Sequence, residues 1–285
     1  MMLLRQWLAE AETALQTLAQ QDPQATDLKF EASRLWADVL DKNPASERLY
    51  LDQPLSAADL ARLNAALQRR ATGEPLAYIT GRWWFWDLEL EVAPCTLIPR
   101  PDTELLVEQA LELALPANAK VLDLGTGTGA IALTLASQRP DWQVTAVDFS
   151  GDAVALAERN RCRLQLNNAR VLQSDWYQAV AGQRFDLIIS NPPYIDVTDP
   201  HLQQGDVRYE PLSALVAAED GLADIRLICA NAPAHLQPAG WLYLEHGHQQ
   251  HEAVQQILRQ AGFTEVSSRR DYGGNWRISG GCGPA

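Results

Sequence analysis

The sequence predicts an α/β protein built on a mostly parallel, doubly wound sheet, with a small helical bundle and a β-hairpin in front of it. Three observations carry this. From Val121 onward, short apolar runs alternate with helical stretches, the pattern of successive strand–helix–strand units. Upstream of residue 79, apolar residues recur at helical spacing. Between these zones, Trp83 to Val92 alternates apolar and charged residues with period two.

In the first zone, Leu4, Trp7, Leu8, Ala11, Leu15 and Leu18 make the apolar stripe of a helix over residues 1–20. Arg5, Glu10 and Glu12 interrupt it, so it reads as an amphipathic helix and not a signal peptide. A second helix over 29–40 carries Phe30, Leu35, Trp36, Val39 and Leu40 on one side and ends near Asn43-Pro44. A third over 56–70 opens on Ser56 as its cap, with Leu60, Leu63, Ala66 and Leu67 as its stripe. Short helices joined by such turns make a small bundle.

In the middle zone, Trp83, Trp84, Phe85 and Trp86 precede Leu88, Leu90 and Val92, with Asp87, Glu89 and Glu91 between them. A hairpin follows from that alternation, and its aromatics are read as core. The zone closes on Leu97-Ile98-Pro99-Arg100-Pro101-Asp102-Thr103-Glu104, after which a helix over 105–115 takes Asp102 as its cap. Strands are expected at 120–124, 143–147, 169–173, 185–190 and 240–245, with a final pair near 263–267 and 275–279. The expected domains are 1–78, helical; 79–101, a hairpin linker; and 102–285, the sheet domain.

Composition narrows the function. With 285 residues, 47% hydrophobic and 21% charged, the chain can bury one large core and a small accessory one. No apolar run approaches the ~18 residues of a membrane helix, so cytoplasmic residence is expected. Cys95, Cys162, Cys229 and Cys282 lie far apart, without metal or redox spacing. The net charge of −13, most of it beyond residue 78, repels phosphate backbones and argues against a stable nucleic-acid partner.

Four motifs follow the carboxyl ends of expected strands, where open α/β sheets bind ligands. The turn Gly125-Thr126-Gly127-Thr128-Gly129 lets backbone approach a ligand ahead of a helix N-terminus. It would also satisfy a nicotinamide fingerprint, so the turn alone names no cofactor. Asp148 ends the second strand and can accept both hydroxyls of a ribose, or cap the helix over 153–161. Ser174-Asp175-Trp176 follows the third strand. Asn191-Pro192-Pro193-Tyr194 follows the fourth, where two prolines stop the ladder and hold Asn191 extended. The Asn191 amide oxygen and the Pro192 carbonyl are two acceptors, and Tyr194 can cover a flat group, which together suit a planar NH2. A proline turn with Asn191 as a cap is the plainer reading.

Taken together, these residues resemble a class I S-adenosylmethionine-dependent methyltransferase with a Rossmann-like fold. More narrowly, the chain is similar to the protein-(glutamine-N5) methyltransferases of bacterial class-1 peptide chain release factors. The likeness spans nearly the whole chain, and residues 97–104 together with residues 191–194 are its most specific elements. It implies that Gly125, Thr126, Gly127, Thr128 and Gly129 surround the methionine part of S-adenosylmethionine. Asp148 would hold the ribose, with Trp176 beside the adenine and Asp175 near its amino group. Asn191, Pro192, Pro193 and Tyr194 would hold the target glutamine of a Gly-Gly-Gln tripeptide, with Asn191, Pro192 and Tyr194 as the catalytic set. Release factors 1 and 2 would be the protein substrates of a monomeric enzyme. Trp276 departs from the family pattern, which has an acidic residue there, and the final residues are atypical, so the packing of the last strand is the point at issue.

Other residues have plainer readings. His246-x-His248-x-x-His251 is taken as structural or surface histidine, and Glu245 as a packing or capping residue. Arg100 either meets an acidic group of the partner or closes over the cofactor, or it pairs locally with Glu104. Tyr209-Glu210-Pro211 lies in the loop expected to grip a substrate. Rival functions are a nucleic-acid methyltransferase acting on adenine N6 or guanine N2, a nicotinamide-dependent oxidoreductase, and a non-catalytic binding protein. The acidic charge opposes the first, and residues 191–194 are unexplained by the second.

Overall fold

The computed structural model describes residues 2–21 and 27–284. Met1, the side chain of Leu18 and Ala285 lie outside the described residues. The chain forms two compact units: Met1–Arg82 with Pro200–Tyr209, and Trp83–Asp199 with Glu210–Ala285.

The first unit is a helical bundle in which α1 (Leu4–Gln21), α2 (Leu28–Leu40) and α3 (Ala57–Ala71) pack on one another. Its core holds Leu4, Trp7, Leu15, Leu35, Trp36 and Leu63, all from the apolar stripes of these helices. Asp27 caps α2 by accepting the Phe30 N–H at 2.9 Å, and Ser56 caps α3 by accepting the Asp59 N–H at 3.0 Å. Phe30 itself is 61% exposed in the first turn of α2, so it lies off the expected core face. A short helix without a sequence signal, α4 (Leu76–Thr80), ends at Gly81 in the left-handed conformation.

Arg70 is buried at the end of α3. Its guanidinium holds Glu31 at 2.7 and 2.9 Å and Asp206 at 3.3 Å, tying the distant segment Pro200–Tyr209 to the helices. The Tyr209 hydroxyl donates to the Thr72 carbonyl at 2.7 Å and adds a second tie.

The hairpin strands are β1 (Arg82–Phe85) and β2 (Leu88–Glu91), turned through Trp86 at a φ of +57°. Only part of the aromatic run is core: Phe85 is buried and Trp84 is 51% exposed, because neighbours on a strand face opposite ways. Helix α5 (Glu104–Glu112) rises from a 3-10 turn at Pro101–Thr103. Asp102 is not its cap, since the Asp102 carboxylate pairs with Arg277 at 3.1 Å. The helix stops at Glu112, short of residue 115, and Leu113 is already extended in the approach to Pro116.

The second unit is built on a seven-stranded sheet. Its strands are β3 (Lys120–Leu124), β4 (Gln143–Asp148), β5 (Ala169–Gln173), β6 (Phe185–Ser190), β7 (Leu236–Glu245), β8 (Thr264–Arg270) and β9 (Trp276–Cys282). The spatial order is β5-β4-β3-β6-β7-β9-β8, with β9 antiparallel to both neighbours. Connecting helices are α6 (Ala130–Gln138), α7 (Gly151–Arg163), the single turn α8 (Ala218–Gly221), α9 (Ala223–His235) and α10 (His251–Gln260). Val121, Leu187 and Ile189 pack on one face with Leu106 and Leu133. Leu122, Ile188 and Leu242 pack on the other with Ile225 and Val254. Burial on both faces is why central strands such as β3 and β6 read as nearly continuous apolar runs.

Three strand limits differ from expectation, β8 running on to Arg270. β7 starts at Leu236, which pairs with Phe185 across a bulge that includes Ala239 at a φ of +60°. β9 runs to Cys282, between β7 and β8. The glycines of the atypical tail make that close pairing possible: a Cβ on Gly280 would lie 2.2 Å from the Tyr243 ring and 2.4 Å from the Leu242 carbonyl oxygen. Trp276 is held by stacking on His251, centroids 4.8 Å apart, and by the Arg270 guanidinium 4.3 Å from its ring.

Strands β3 to β7 run parallel, so their carboxyl ends share one edge. The order reverses between β4 and β6 around β3, which opens a crevice at that edge.

Candidate active site

The crevice is lined by the ends of four parallel strands. Gly125, Thr126, Gly127 and Thr128 come from the turn after β3, Asp148 from β4, Asp175 and Trp176 from the turn after β5, and Asn191 and Pro193 from the turn after β6. The sequence motifs therefore meet in one pocket. Gly129, Pro192 and Tyr194 stand outside its lining. Gly129 heads α6 at a φ of +87°, Pro192 is buried, and the Tyr194 hydroxyl donates to Glu245 Oε1 at 3.1 Å.

The glycine turn is shaped by its conformation: Gly125 and Gly127 have φ of +70° and +56°, which L side chains rarely adopt. Its backbone is tied to the next strand, because the Thr126 N–H donates to the Val147 carbonyl and the Gly127 N–H to Asp148 Oδ2, both at 2.9 Å. The other oxygen of Asp148 accepts the Ser150 N–H at 2.9 Å. Ser150, not Asp148, caps α7. Both Asp148 oxygens thus keep lone pairs for a ligand, and burial raises the carboxyl above the usual range.

Under the turn, Asp123 is wholly buried and accepts the Thr126 hydroxyl at 2.6 Å. Burial pushes its carboxyl up to about 7.

Asn191 is oriented by one clear contact: its Nδ2 donates to Thr103 Oγ1 at 3.1 Å. That makes Oδ1 the acceptor end of the amide. The Tyr194 ring is fixed at the other end of the turn. Its hydroxyl is buried beside Glu245, and desolvation, with Glu245 next, holds its pKa far above the ordinary phenol value. Glu245 is buried too, and desolvation pushes it up to about 7. Arg277, paired with Asp102 and Asp271 at 3.1 Å each, opposes that rise.

Several contributors carried no sequence signal. Cys95 and Thr96, from the loop after the hairpin, line the pocket, as do Phe149, Ser213 and Asp224; Leu97, Pro99 and Thr103 of the linker motif line it too. Asn160 of α7 stitches that hairpin to the glycine turn: its Nδ2 donates to the Glu91 and Thr128 carbonyls at 2.9 and 3.0 Å, and its Oδ1 accepts the Glu91 N–H at 2.7 Å. Arg100 pairs not with Glu104 but with Glu210, at 2.7 Å. Glu210 also accepts the Ile98 N–H at 3.0 Å and so anchors the linker motif. Glu104 instead accepts the Trp86 N–H at 2.8 Å. His246 bonds Ser279 Oγ at 2.7 Å, and no metal-holding group of His, Cys, Asp or Glu occurs among the described residues.

The sheet order, the crevice at its carboxyl edge and the glycine turn joined to an acidic strand end define a class I methyltransferase. Family models agree: residues 101–205 match the "Methyltransferase small domain" and residues 6–81 the "PrmC N-terminal domain". A release factor glutamine methyltransferase of Salmonella typhimurium is 57% identical over 81% of this chain and 83% of its own length. Its Escherichia coli K12 counterpart is 50% identical over 96% of each chain. Among solved structures, a methyltransferase from Pyrococcus furiosus superposes with a TM-score of 0.54 at 20% identity, over 78% of this chain and all of that one, a likeness of fold. The chain belongs to the release factor glutamine methyltransferases.

Proposed function

We propose that this protein transfers a methyl group from S-adenosylmethionine to the side-chain amide nitrogen (N5) of the glutamine in the Gly-Gly-Gln motif of release factors 1 and 2, and so supports translation termination. The observation that carries the reading is Asn191, which lines the pocket and whose Nδ2 donates to Thr103 Oγ1, so that Oδ1 is the acceptor end of its amide.

The pocket fits the donor. The turn Gly125 to Gly129 offers backbone without side-chain bulk for the methionine part, the Asp148 carboxylate offers acceptors for two ribose hydroxyls, and Trp176 with Asp175 offers a flat face and an acceptor for the adenine. When bound, S-adenosylmethionine supplies an electrophilic methyl on a positively charged sulfur.

The difficulty lies in the nucleophile, since a carboxamide nitrogen shares its lone pair with its carbonyl. Asn191 Oδ1 and the Pro192 carbonyl accept its two N–H bonds. They hold the amide in the direction of attack and favour positive charge growing on nitrogen. Alignment of this kind supplies ~7–11 kcal/mol in well-oriented systems. No general base is required before transfer, because the methylated nitrogen is strongly acidic and releases its proton afterwards.

Residues 1–78 are assigned to recognition of the protein substrate, residues 79–101 to the link, and residues 102–285 to methyl transfer. Incubation of the purified protein with methyl donor and release factor, with bulk RNA and DNA in parallel, tests the assignment. Peptide mass spectrometry should place one added methyl on the Gly-Gly-Gln glutamine. Methyl incorporation into nucleic acid alone would refute it.

A further inference from the structure

Two prolines stiffen the turn at residues 191–194 and deprive it of two backbone donors. Among the described residues no backbone hydrogen bond joins two members of the turn: the one N–H after Asn191, that of Tyr194, donates to the Leu215 carbonyl at 3.2 Å. The turn is therefore placed from its two ends. At the first it continues from β6, where Ser190 pairs with Leu244 and its hydroxyl donates to the Leu124 carbonyl at 2.6 Å. At the second the bonds fall on Tyr194. Besides its N–H and its hydroxyl, its carbonyl is held, accepting Gln250 Nε2 at 3.0 Å.

Gln250 is oriented by its own contacts. Its Oε1 accepts the Gly247 N–H at 2.8 Å, and Nε2 gives its two hydrogens to two carbonyls, those of Tyr194 and Asp220, at 3.0 Å each. The two carbonyls stand at opposite ends of one long loop, residues 195–219. That loop supplies Pro200–Tyr209 to the helical unit and returns to the sheet unit at Glu210. Its base is also closed by the Ile195 and Ala217 N–H groups, which donate to the Leu215 and Ile195 carbonyls at 2.9 and 3.0 Å.

The far end of the loop is strained. In the single turn α8, Glu219, Asp220 and Gly221 have φ of +56°, +58° and +80°, a left-handed run that residues other than glycine rarely adopt. This run lies directly on Tyr194: a Cβ on Gly221 would fall 2.1 Å from the Tyr194 carbonyl oxygen and 2.8 Å from Gln250 Nε2. Local preference opposes the conformation, and the surrounding contacts impose it.

We propose that Gln250 is a positioning residue for methyl transfer. By tying the Tyr194 carbonyl to the left-handed run at residues 219–221, it fixes the turn at residues 191–194, and with it the direction of the Pro192 carbonyl and the Asn191 side chain. The proposal rests on the reading of that turn as the clamp for the glutamine amide. Gln250 stands outside the pocket lining, and its side-chain bonds reach the clamp through the Tyr194 backbone.

The test uses the full chain and two variants. Gln250→Glu keeps the shape but sets a carboxylate, which only accepts, against two carbonyls; Gln250→Met removes the bonds without that repulsion. In release-factor methylation, kcat should fall on the order of 10²-fold in Gln250→Glu, the effect of a clamp displaced by about 1 Å, and by less in Gln250→Met. KM for the release factor, and donor affinity by calorimetry, should stay at wild-type values in both. Labelling asparagine with 15N gives a readout independent of turnover. The Asn191 side-chain amide signal, identified by its loss in Asn191→Ala, should shift in Gln250→Met. A wild-type kcat in Gln250→Glu, losses of KM or donor affinity in step with kcat, or an unshifted Asn191 signal in Gln250→Met would overturn the proposal. If Gln250→Glu does not fold, the kcat and the Asn191 signal of Gln250→Met decide in the same way. A wild-type protein that leaves the release factor unmethylated would remove the substrate assignment instead, and the Asn191 signal would still decide whether Gln250 sets the turn.

Discussion

Replacing Asn191 by alanine probes the clamp most directly. The variant deletes one of two acceptors and leaves the other, the Pro192 carbonyl, in place because it is backbone. A single oriented polar group aimed at developing charge is worth about 3–4 kcal/mol, or a factor of ~10²–10³ in kcat. The cost to the fold should be much smaller. Asn191 is half-buried and makes one hydrogen bond, to Thr103 at 3.1 Å, so stability should fall by about 1 kcal/mol. Donor affinity should change little, because the carboxylate of Asp148 and the glycine turn are untouched. Single-turnover methylation of release factor gives the rate, calorimetry the donor affinity and thermal unfolding the stability. A loss of donor affinity as large as the loss of rate would refute the assigned role, as would a rate within a factor of a few of wild type.

Three further outcomes are expected. Asp148→Ala should weaken donor binding by about 1.5–3 kcal/mol, the worth of hydrogen bonds to a charged group, and unchanged affinity by calorimetry would remove Asp148 from the ribose site. Gly280→Ala should destabilise the protein by about 1–3 kcal/mol in denaturant unfolding, because its Cβ would fall 2.2 Å from Tyr243 between two paired strands; a wild-type midpoint would contradict the packing of β9. Stability should also depend on pH through opposed groups: the carboxyls of Asp123 and Glu245, both raised to about 7, against His246. Glu245 has its carboxyl raised to about 7, so the folded state holds a proton that the unfolded chain has already released, and stability is lost as pH rises from the ordinary carboxylate range to about 7. His246, lowered to about 4 by burial, acts oppositely and costs stability as pH falls from about 6.5 toward 4. In Glu245→Gln the first loss should disappear, so that the variant gains on wild type as pH rises from about 5 to 7; parallel melting curves across that range would contradict the assignment.

What was legible in the sequence follows from how local each determinant is. The parallel strands are short apolar runs because both faces are covered, and Gly125, Asp148, Asp175 and Asn191 could be aligned at one edge because each directly follows such a run. Ser56 could be read as a cap because the group it satisfies is three residues away. The errors share the opposite property. Asp102 has the position of a cap, but Arg277 takes its carboxylate, and Arg100 passes over nearby Glu104 for Glu210. Neither partner leaves a periodic signal. The pocket wall from Cys95 to Leu97 is irregular loop, set by the Asn160 bonds that hold the hairpin to the glycine turn. The partner of the Tyr194 hydroxyl, Glu245, was equally out of reach, since sequence alone marks it only as the end of a strand.

The grip of Arg70 on both Glu31 and Asp206 has a consequence for how the protein is made. The helical unit is not finished by its own first stretch of chain; it needs Pro200–Tyr209, which a ribosome delivers only after β3 to β6 have emerged. Until then a buried guanidinium has one of its two anionic partners missing. The contacts of that segment with the helices therefore form only after the first strands of the sheet have been synthesised, so completion of one unit is tied to the order in which the other leaves the exit tunnel.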